Sequence, residues 1–178
     1  MRGKLVNNYL PASIWLGYHI LIPNWRLSFF SLLMLVRAVV VLFCFLRREA
    51  PLKSAPYWQM AIAWGSTFLP TLMVWEPSVS LMSSIGRSIS VCGMVLFVFA
   101  CLDLDRSFGI SPAVRPQVTG GIYKFLNHPL YVSHVIVECG LLFASPSSWN
   151  FSVVFVAWSV FLFRAKLETQ FKFTATAR

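Results

Sequence analysis

The residues best suited to chemistry lie in the stretch 120–131, which contains a histidine and two tyrosines in an otherwise apolar chain. Gly120-Gly121 permits a tight turn, because glycine adopts positive φ angles at little cost. Pro129 suits the first turn of a helix, since it has a fixed φ and no N–H. We therefore predict a helix from Pro129, with Asn127 or His128 near its N-cap. Its unpaired N–H groups and positive dipole end favour an anionic ligand; the alternative is an ordinary loop entering a membrane helix.

A second candidate pair, Arg164 and Glu168, follows the last apolar segment. The two residues are one helical turn apart, and Arg before Glu is the less favourable order for a simple surface pair, which favours a ligand role. If the last two apolar helices are antiparallel neighbours, this pair meets His128-Pro129 at one membrane surface. An Arg or helix N-terminus can hold a carboxylate while a Glu holds an ammonium, so the set suits a zwitterionic ligand.

These residues must be positioned by membrane helices. Of the 178 residues, 57% are hydrophobic and only 12% are charged, with a mean hydropathy of +0.69; a soluble domain has about 25% charged residues. The net charge of +9 comes from basic residues between apolar runs, which indicates a membrane protein and no nucleic-acid partner. The four cysteines form no CxxC pair, so neither a disulfide framework nor a metal site is indicated.

We predict an all-α fold, a polytopic membrane helical bundle that forms a single integral membrane domain over residues 1–178. About five transmembrane helices are expected, at 27–46, 58–75, 88–102 (beginning as early as Leu81 if Arg87 snorkels or faces inward), 130–144 and 151–163. The short turn 145–150 makes the last two an antiparallel C-terminal hairpin. Segment 9–22 is apolar but short, so it lies at the interface or enters partway, with a full span as the alternative.

The basic residues predict the orientation. They concentrate after the first span, between the third and fourth, and after the fifth, whereas the alternate loops contain little beyond Arg87. Basic loops are retained in the cytoplasm, so the central loop and the C-terminal segment should both be cytoplasmic, with the candidate site between them.

Two charges, Arg37 and Glu138, lie well inside predicted spans, where each costs about 2.5–3.5 kcal/mol at the bilayer centre. They lie at matching depths, so the geometry allows a buried pair between the two helices; the alternative is that each charge finds water or backbone separately. His134 and Glu138 are i,i+4 neighbours on one helix face. Two ligands make a weak metal site, so a hydrogen-bonded His–Glu pair is the preferred interpretation.

The order of motifs resembles the membrane methyltransferases of the isoprenylcysteine carboxyl methyltransferase and phospholipid methyltransferase type. The resemblance covers about residues 85–171. Its matching segments are Asp105-Arg106-Ser-Phe108, Val118-Thr119-Gly-Gly121-Ile-Tyr123, Asn127-His128-Pro129-Leu-Tyr131, Gly140 and Arg164…Glu168-Thr169. Asn127 stands where that pattern has Arg, and Thr169 where it has a second Glu. An Asn cannot replace the bidentate anion contact of an Arg.

The resemblance implies that S-adenosylmethionine binds on the cytosolic side, between the last helices and their flanking loops. The implied cofactor-binding residues are Tyr123, His128, Pro129, Tyr131, Arg164 and Glu168. The implied catalytic residues are His128, Arg164 and Glu168. The acceptor would be a membrane lipid or lipidated substrate: an isoprenylcysteine-like carboxylate, a phospholipid amine or, by the same analogy, a small thiol. A carboxylate is already ionised, whereas an amine or thiol must lose a proton, for which His128 is the nearest candidate base.

Two other functions compete with this interpretation. One is an NADPH-dependent membrane reductase, because sterol-reductase-like proteins resemble the C-terminal architecture. The other is a non-enzymatic accessory protein of the membrane. The sequence contains no GxGxxG or Walker motif, so no soluble nucleotide-binding fold supports the reductase.

Overall fold

The fold is all-α, as predicted. A computed structural model describes residues 8–21, 28–76 and 78–176; the side chains of residues 19–21, 168 and 170–176 are outside that description. The described residues form six α-helices, α1 Leu10–Leu21, α2 Phe29–Arg47, α3 Tyr57–Phe68, α4 Leu81–Leu104, α5 Pro129–Ala144 and α6 Ser148–Thr176. Short 3₁₀ turns cover Leu69–Leu72, Asp105–Ser107 and Gly121–Lys124, and a two-stranded sheet pairs β1 Lys53–Ser54 with β2 Ala113–Val114.

The predicted count of five spans is not confirmed. Three described helical stretches are long and apolar enough to cross a membrane, Phe29–Arg47, Leu81–Ser107 and Ser148–Leu167. The predicted span 58–75 is not one continuous helix, because α3 ends at Phe68 and the chain tightens into a 3₁₀ turn that contains Pro70. Proline has no amide hydrogen, so it cannot continue the α-helical hydrogen bonds. α5 is also apolar but has only 16 residues, and α1 has 12.

α2 shows which surface faces the lipid. Large apolar residues along one face are exposed, among them Leu32, Val39 and Phe43, although the helix is apolar throughout. The opposite face is buried and includes Met34 and Phe45. A soluble protein rarely exposes so continuous an apolar stripe, so this face is expected to contact hydrocarbon. The helix begins in a capping box, in which Ser31 N donates to Ser28 Oγ at 3.1 Å and Ser28 N donates to Ser31 Oγ at 2.9 Å.

α4 and α5 pack with their backbones in direct contact. A Cβ added at Gly86 would lie 2.5 Å from the carbonyl oxygen of Gly140, and one added at Gly93 would lie 2.7 Å from the Val137 nitrogen. Between these two contacts, Ser90 Oγ donates to the Val137 carbonyl at 3.0 Å. Small residues at membrane helix interfaces allow this close approach. The pair therefore forms a tightly packed unit beside the site.

The predicted C-terminal hairpin is confirmed. α5 ends at Ala144 and α6 begins at Ser148, and the helices are antiparallel because Tyr131, near the start of α5, packs on Phe161 of α6 at a ring-centroid distance of 5.7 Å. α6 is longer than the predicted 151–163 and continues without a break through Arg164 to Thr176. The hairpin therefore brings the first turns of α5 beside the later part of α6.

Candidate functional site

A cavity of about 430 Å³ lies between the first turns of α5, the part of α6 around Arg164 and the loop 107–118. Ligand sites in proteins have volumes of about 300–1,000 Å³, so a small organic molecule fits. The loop is fixed by the short sheet, in which Lys53 pairs with Val114 and Ser54 with Ala113. Arg37, Thr67 and Phe97 add contributions from α2, α3 and α4.

The start of α5 forms as predicted, with His128 at the N-cap and Pro129 at the first helical position. The His128 carbonyl accepts hydrogen bonds from the amides of Tyr131 at 3.1 Å and Val132 at 3.2 Å. Asn127, His128 and Tyr131 all line the cavity. Pro129 is buried and does not line it, so its contribution is to fix the entry angle of the helix.

A row of rings forms one wall of the cavity. The rings of His128 and Tyr131 have centroids 5.6 Å apart, and Tyr131 is 5.7 Å from Phe161. His134 lies deeper, 5.4 Å from Phe161 and 5.3 Å from Phe97. Aromatic faces of this kind suit a planar heterocycle or a cation, because they combine a large apolar area with a negative quadrupole.

Arg164 is 6% exposed and connects three parts of the fold. Its Nη1 donates to Ser66 Oγ at 3.0 Å and to the Ala63 carbonyl at 3.4 Å, and its Nη2 donates to the Ile110 carbonyl at 2.6 Å. Its Cζ also lies 5.5 Å from the centroid of the Tyr131 ring. The buried Nε has no partner. Arg164 therefore holds α3, α6 and the loop together, and its Nε–H remains available for a ligand.

Tyr123 reaches the cavity from the turn that the two glycines permit. Gly121 has φ +57°, and a Cβ there would collide with the Asp103 carboxylate. That carboxylate accepts a hydrogen bond from Ile122 N at 2.7 Å. Asp103, near the end of α4, thus fixes the turn that carries Tyr123, a role that the sequence analysis did not assign.

Arg37 also lines this cavity, which the sequence analysis did not predict. As predicted from their depths, Arg37 and Glu138 approach each other, since both line a small second cavity of about 10 Å³. However, no ion pair between them is formed among the described residues, whose salt bridges involve other side chains. Arg37 Nη2 instead donates to the Thr67 carbonyl at 2.6 Å, and Glu138 Oε2 accepts from Trp158 Nε1 at 2.6 Å.

Within the described residues, the expected hydrogen bond between His134 and Glu138 does not form. The His134 ring packs between Phe97 and Phe161, and the carboxylate of Glu138 turns to the indole of Trp158. A neighbouring aromatic donor thus replaces the i,i+4 partner. The described residues contain no group of three or more His, Cys, Asp or Glu side chains that could hold a metal.

The cavity has a positive lining. Three guanidinium groups contribute to it, from Arg37, Arg115 and Arg164, and no described acidic side chain does. Arg115 Nη1 donates to the Phe108 carbonyl at 3.0 Å. Arg48 lies outside the cavity. Burial and, to a smaller extent, the positive charge of Arg115 lower the pKa of Arg48 to about 10, so it remains charged at neutral pH. An anionic group is favoured over a cationic one on this lining.

Of the six residues expected to bind the cofactor, Tyr123, His128, Tyr131 and Arg164 line one cavity. Pro129 lies behind that wall, and the side chain of Glu168 falls outside the described residues. Sequence reasoning missed Arg37 and Asp103 as parts of this region. The position of a charged residue inside a predicted span could have indicated that Arg37 faces a cavity, but only its depth was used, to pair it with Glu138.

A family model described as phospholipid methyltransferase matches residues 78–174, more than half of the chain. The chain belongs to the phospholipid methyltransferase family. Membership identifies it as a membrane methyltransferase, and the apolar helices agree that it is an integral membrane protein. The match includes Tyr123, His128, Tyr131 and Arg164, whereas Arg37 and Thr67 lie outside it. No curated protein and no solved structure matches the chain significantly.

Proposed function

We propose that the chain transfers a methyl group from S-adenosylmethionine to a lipid-associated acceptor, inside the cavity of about 430 Å³. The proposal rests on the position of this cavity within the fold. The part of the chain that matches the methyltransferase family supplies His128, Tyr131 and Arg164 to a single cavity wall.

The lining fits this cofactor. The buried, unpartnered Nε of Arg164 can donate to a carboxylate, and the rings of Tyr131 and Phe161 offer flat faces for an adenine. Glu168 lies one helical turn after Arg164 in α6, and we propose it for the ammonium group on the strength of the sequence pattern alone. When bound, S-adenosylmethionine supplies an electrophilic methyl group on a sulfonium.

The chain's own contribution is positioning, exclusion of water and, for some acceptors, removal of a proton. Apolar side chains such as Val41, Phe97 and Phe161 line the cavity and limit the entry of water, and orientation of two reactants is a large part of such catalysis. A carboxylate acceptor needs no base. An amine that is bound as an ammonium must lose a proton before its nitrogen lone pair can attack, and we propose that an imidazole nitrogen of His128 accepts that proton.

We further propose that the cavity faces the cytoplasm. Arg106, Arg115 and Lys124 lie in the loop between α4 and α5, part of which lines the cavity, whereas the α5–α6 turn contains no charged residue. The positive-inside rule assigns the basic loop to the cytoplasm.

Isothermal calorimetry of the purified protein separates this function from the reductase alternative. S-adenosylhomocysteine should bind saturably, because it retains the adenine and the amino-acid end, and NADPH should not bind. Binding of NADPH without binding of S-adenosylhomocysteine would contradict the proposal. If neither ligand bound, the accessory-protein alternative would be favoured.

A matched pair of variants tests whether the ring wall is the site. Tyr131→Ala removes the ring in contact with His128, Phe161 and Arg164. Stacking contributes about 1–3 kcal/mol per base, so S-adenosylhomocysteine should bind about ten- to a hundredfold more weakly. Tyr57→Ala is the control, since Tyr57 is 90% exposed and outside the cavity. Equal affinities in the two variants would remove Tyr131 from the site.

A further inference from the structure

Arg37 is a guanidinium with unused hydrogen-bonding capacity deep in the cavity. It is 3% exposed, and its Nη2 is bound to the Thr67 carbonyl at 2.6 Å. Its Nε and Nη1 are buried and have no hydrogen-bond partner. Its Cζ lies 5.4 Å from the ring of Trp15, which is itself fixed by a 3.0 Å hydrogen bond to the Ala38 carbonyl. The group is therefore held in place with two nitrogens still able to donate.

The side chains of Arg37 and Arg164 bind two consecutive residues of α3. Arg37 binds the carbonyl of Thr67, and Arg164 binds the hydroxyl of Ser66. In these two groups, three buried nitrogens have no partner: Nε and Nη1 of Arg37, and Nε of Arg164. No described carboxylate lies within 4.0 Å of either group, since every salt bridge in the described residues involves other side chains. Two adjacent buried cations without a directly paired anion are strongly unfavourable.

Glu138 accounts for only part of this charge. It shares the cavity of about 10 Å³ with Arg37, a volume that holds about one water molecule. Its Oε1 is buried and has no partner, so a water can bridge it to Arg37. Glu138 does not line the larger cavity, so the side of Arg37 that faces that cavity has no described anion beside it. The larger cavity, which both arginines line, is where a second anion can enter.

We propose that Arg37 binds an oxyanion, phosphate or carboxylate, of the methyl acceptor at the inner end of the cavity. The inference rests on the proposed function. The acceptor is preferred to the cofactor as the source of the anion because the proposed cofactor residues all lie within residues 78–174, whereas Arg37 comes from α2, outside the family match. Val41 and Phe97 line the same end and suit the hydrocarbon of a lipid.

The test compares lipids that differ only in the anion. Dihexanoylphosphatidic acid against dihexanoylglycerol probes a phosphate, and decanoate against decanol probes a carboxylate. Affinities are measured by tryptophan fluorescence on the full chain in a neutral detergent, without cofactor. We expect at least one anionic probe to bind the wild type at least tenfold more tightly than its neutral counterpart. We expect Arg37→Gln to lose that preference while neutral probes bind as before.

Arg87→Gln is the matched control. Arg87 also donates through Nη2 to a backbone carbonyl, that of Ser78, and also lies over a tryptophan, 5.8 Å from the ring of Trp75, but it does not line the cavity. Its removal should leave the anion preference unchanged. Arg37→Lys keeps the positive charge and should retain part of the preference for anionic probes. It replaces Arg37→Gln as the test variant if Arg37→Gln does not fold.

Three results would overturn the inference. They are no anion preference in the wild type, a preference that survives Arg37→Gln, and an equal loss in Arg87→Gln. S-adenosylhomocysteine affinity is measured in parallel. If Arg37→Gln weakens that affinity and leaves the lipid preference intact, Arg37 binds the cofactor and the acceptor assignment is wrong.

If the wild type binds no S-adenosylhomocysteine, the proposed function fails. The lipid comparison still decides whether Arg37 is an anion site.

Discussion

At the scale of single residues, side chains replace backbone partners where helices end. Asn150 is 1% exposed and satisfies three backbone groups beside the α5–α6 turn. Its Oδ1 accepts from Val74 N at 2.9 Å, and its Nδ2 donates to the carbonyls of Val74 at 2.9 Å and Ser145 at 2.8 Å. Arg164 has a comparable role near the cavity. Both residues join segments that are distant in sequence, so local patterns could not reveal their partners.

We expect Asn150→Ala to lower the free energy of unfolding by about 2–4 kcal/mol, because it leaves buried backbone groups without partners. Thermal unfolding in detergent measures the loss. Asn150→Asp keeps the acceptor for Val74 N and should be intermediate. Ser152→Ala is the control on the same helix, since Ser152 is exposed and bonds only to its own turn, at Ser148. Equal melting temperatures for Asn150→Ala and Ser152→Ala would contradict this role.

At the scale of elements, the α4–α5 contact determines how the start of α5 is placed. Gly86 and Gly140 bring two backbones within a distance that no side chain could tolerate. α4 contributes Phe97 to the cavity, and α5 contributes His128 and Tyr131. A change in the separation of these helices would therefore alter the cavity as well as the stability.

Alanine at two glycines should have opposite effects on stability. Alanine is favoured over glycine in a helix by about 1 kcal/mol, so Gly65→Ala, with nothing within 4 Å of the added Cβ, should raise the melting temperature slightly. Gly86→Ala drives a methyl group into the backbone of α5, and overpacking costs about 1–3 kcal/mol. It should lower both the melting temperature and the affinity for S-adenosylhomocysteine. A stabilising effect of Gly86→Ala would show that the helices separate at little cost.

The sequence predicted elements that depend on local signals. Pro129 marked the start of α5, and a long apolar run marked α2. The interruption at Pro70 was underestimated because its flanks are equally apolar. The membrane span 151–163 was ended at the first charged residue, whereas the apolar helix itself begins earlier and continues beyond it. Three of the predicted site residues, His128, Tyr131 and Arg164, line one cavity because one hairpin brings them together, and the turn before α5 adds Tyr123. Arg37 was paired with Glu138 by depth alone, and depth does not determine where a long side chain points.

At the scale of the whole molecule, the basic loop and the uncharged turn at opposite ends of α5 give the protein a direction across the membrane. In sealed inside-out vesicles, an impermeant maleimide should label a Gln117→Cys variant and spare a Trp149→Cys variant. Both parent side chains are exposed, and Cys92→Ser removes the exposed native thiol. The reverse labelling pattern would place the cavity on the other side of the membrane.

The shortness of α5 has a consequence for the surrounding lipid. Its 16 residues extend about 24 Å at 1.5 Å per residue, whereas the hydrocarbon core of a bilayer is about 30 Å thick. Such hydrophobic mismatch is relieved when the bilayer thins locally. Thinning beside α5 would bring a lipid headgroup closer to the His128 end of the cavity, so the fold itself would shorten the path of an acceptor. We expect methyl transfer to slow as vesicle acyl chains lengthen; a rate that is independent of chain length would show that α5 does not deform the membrane.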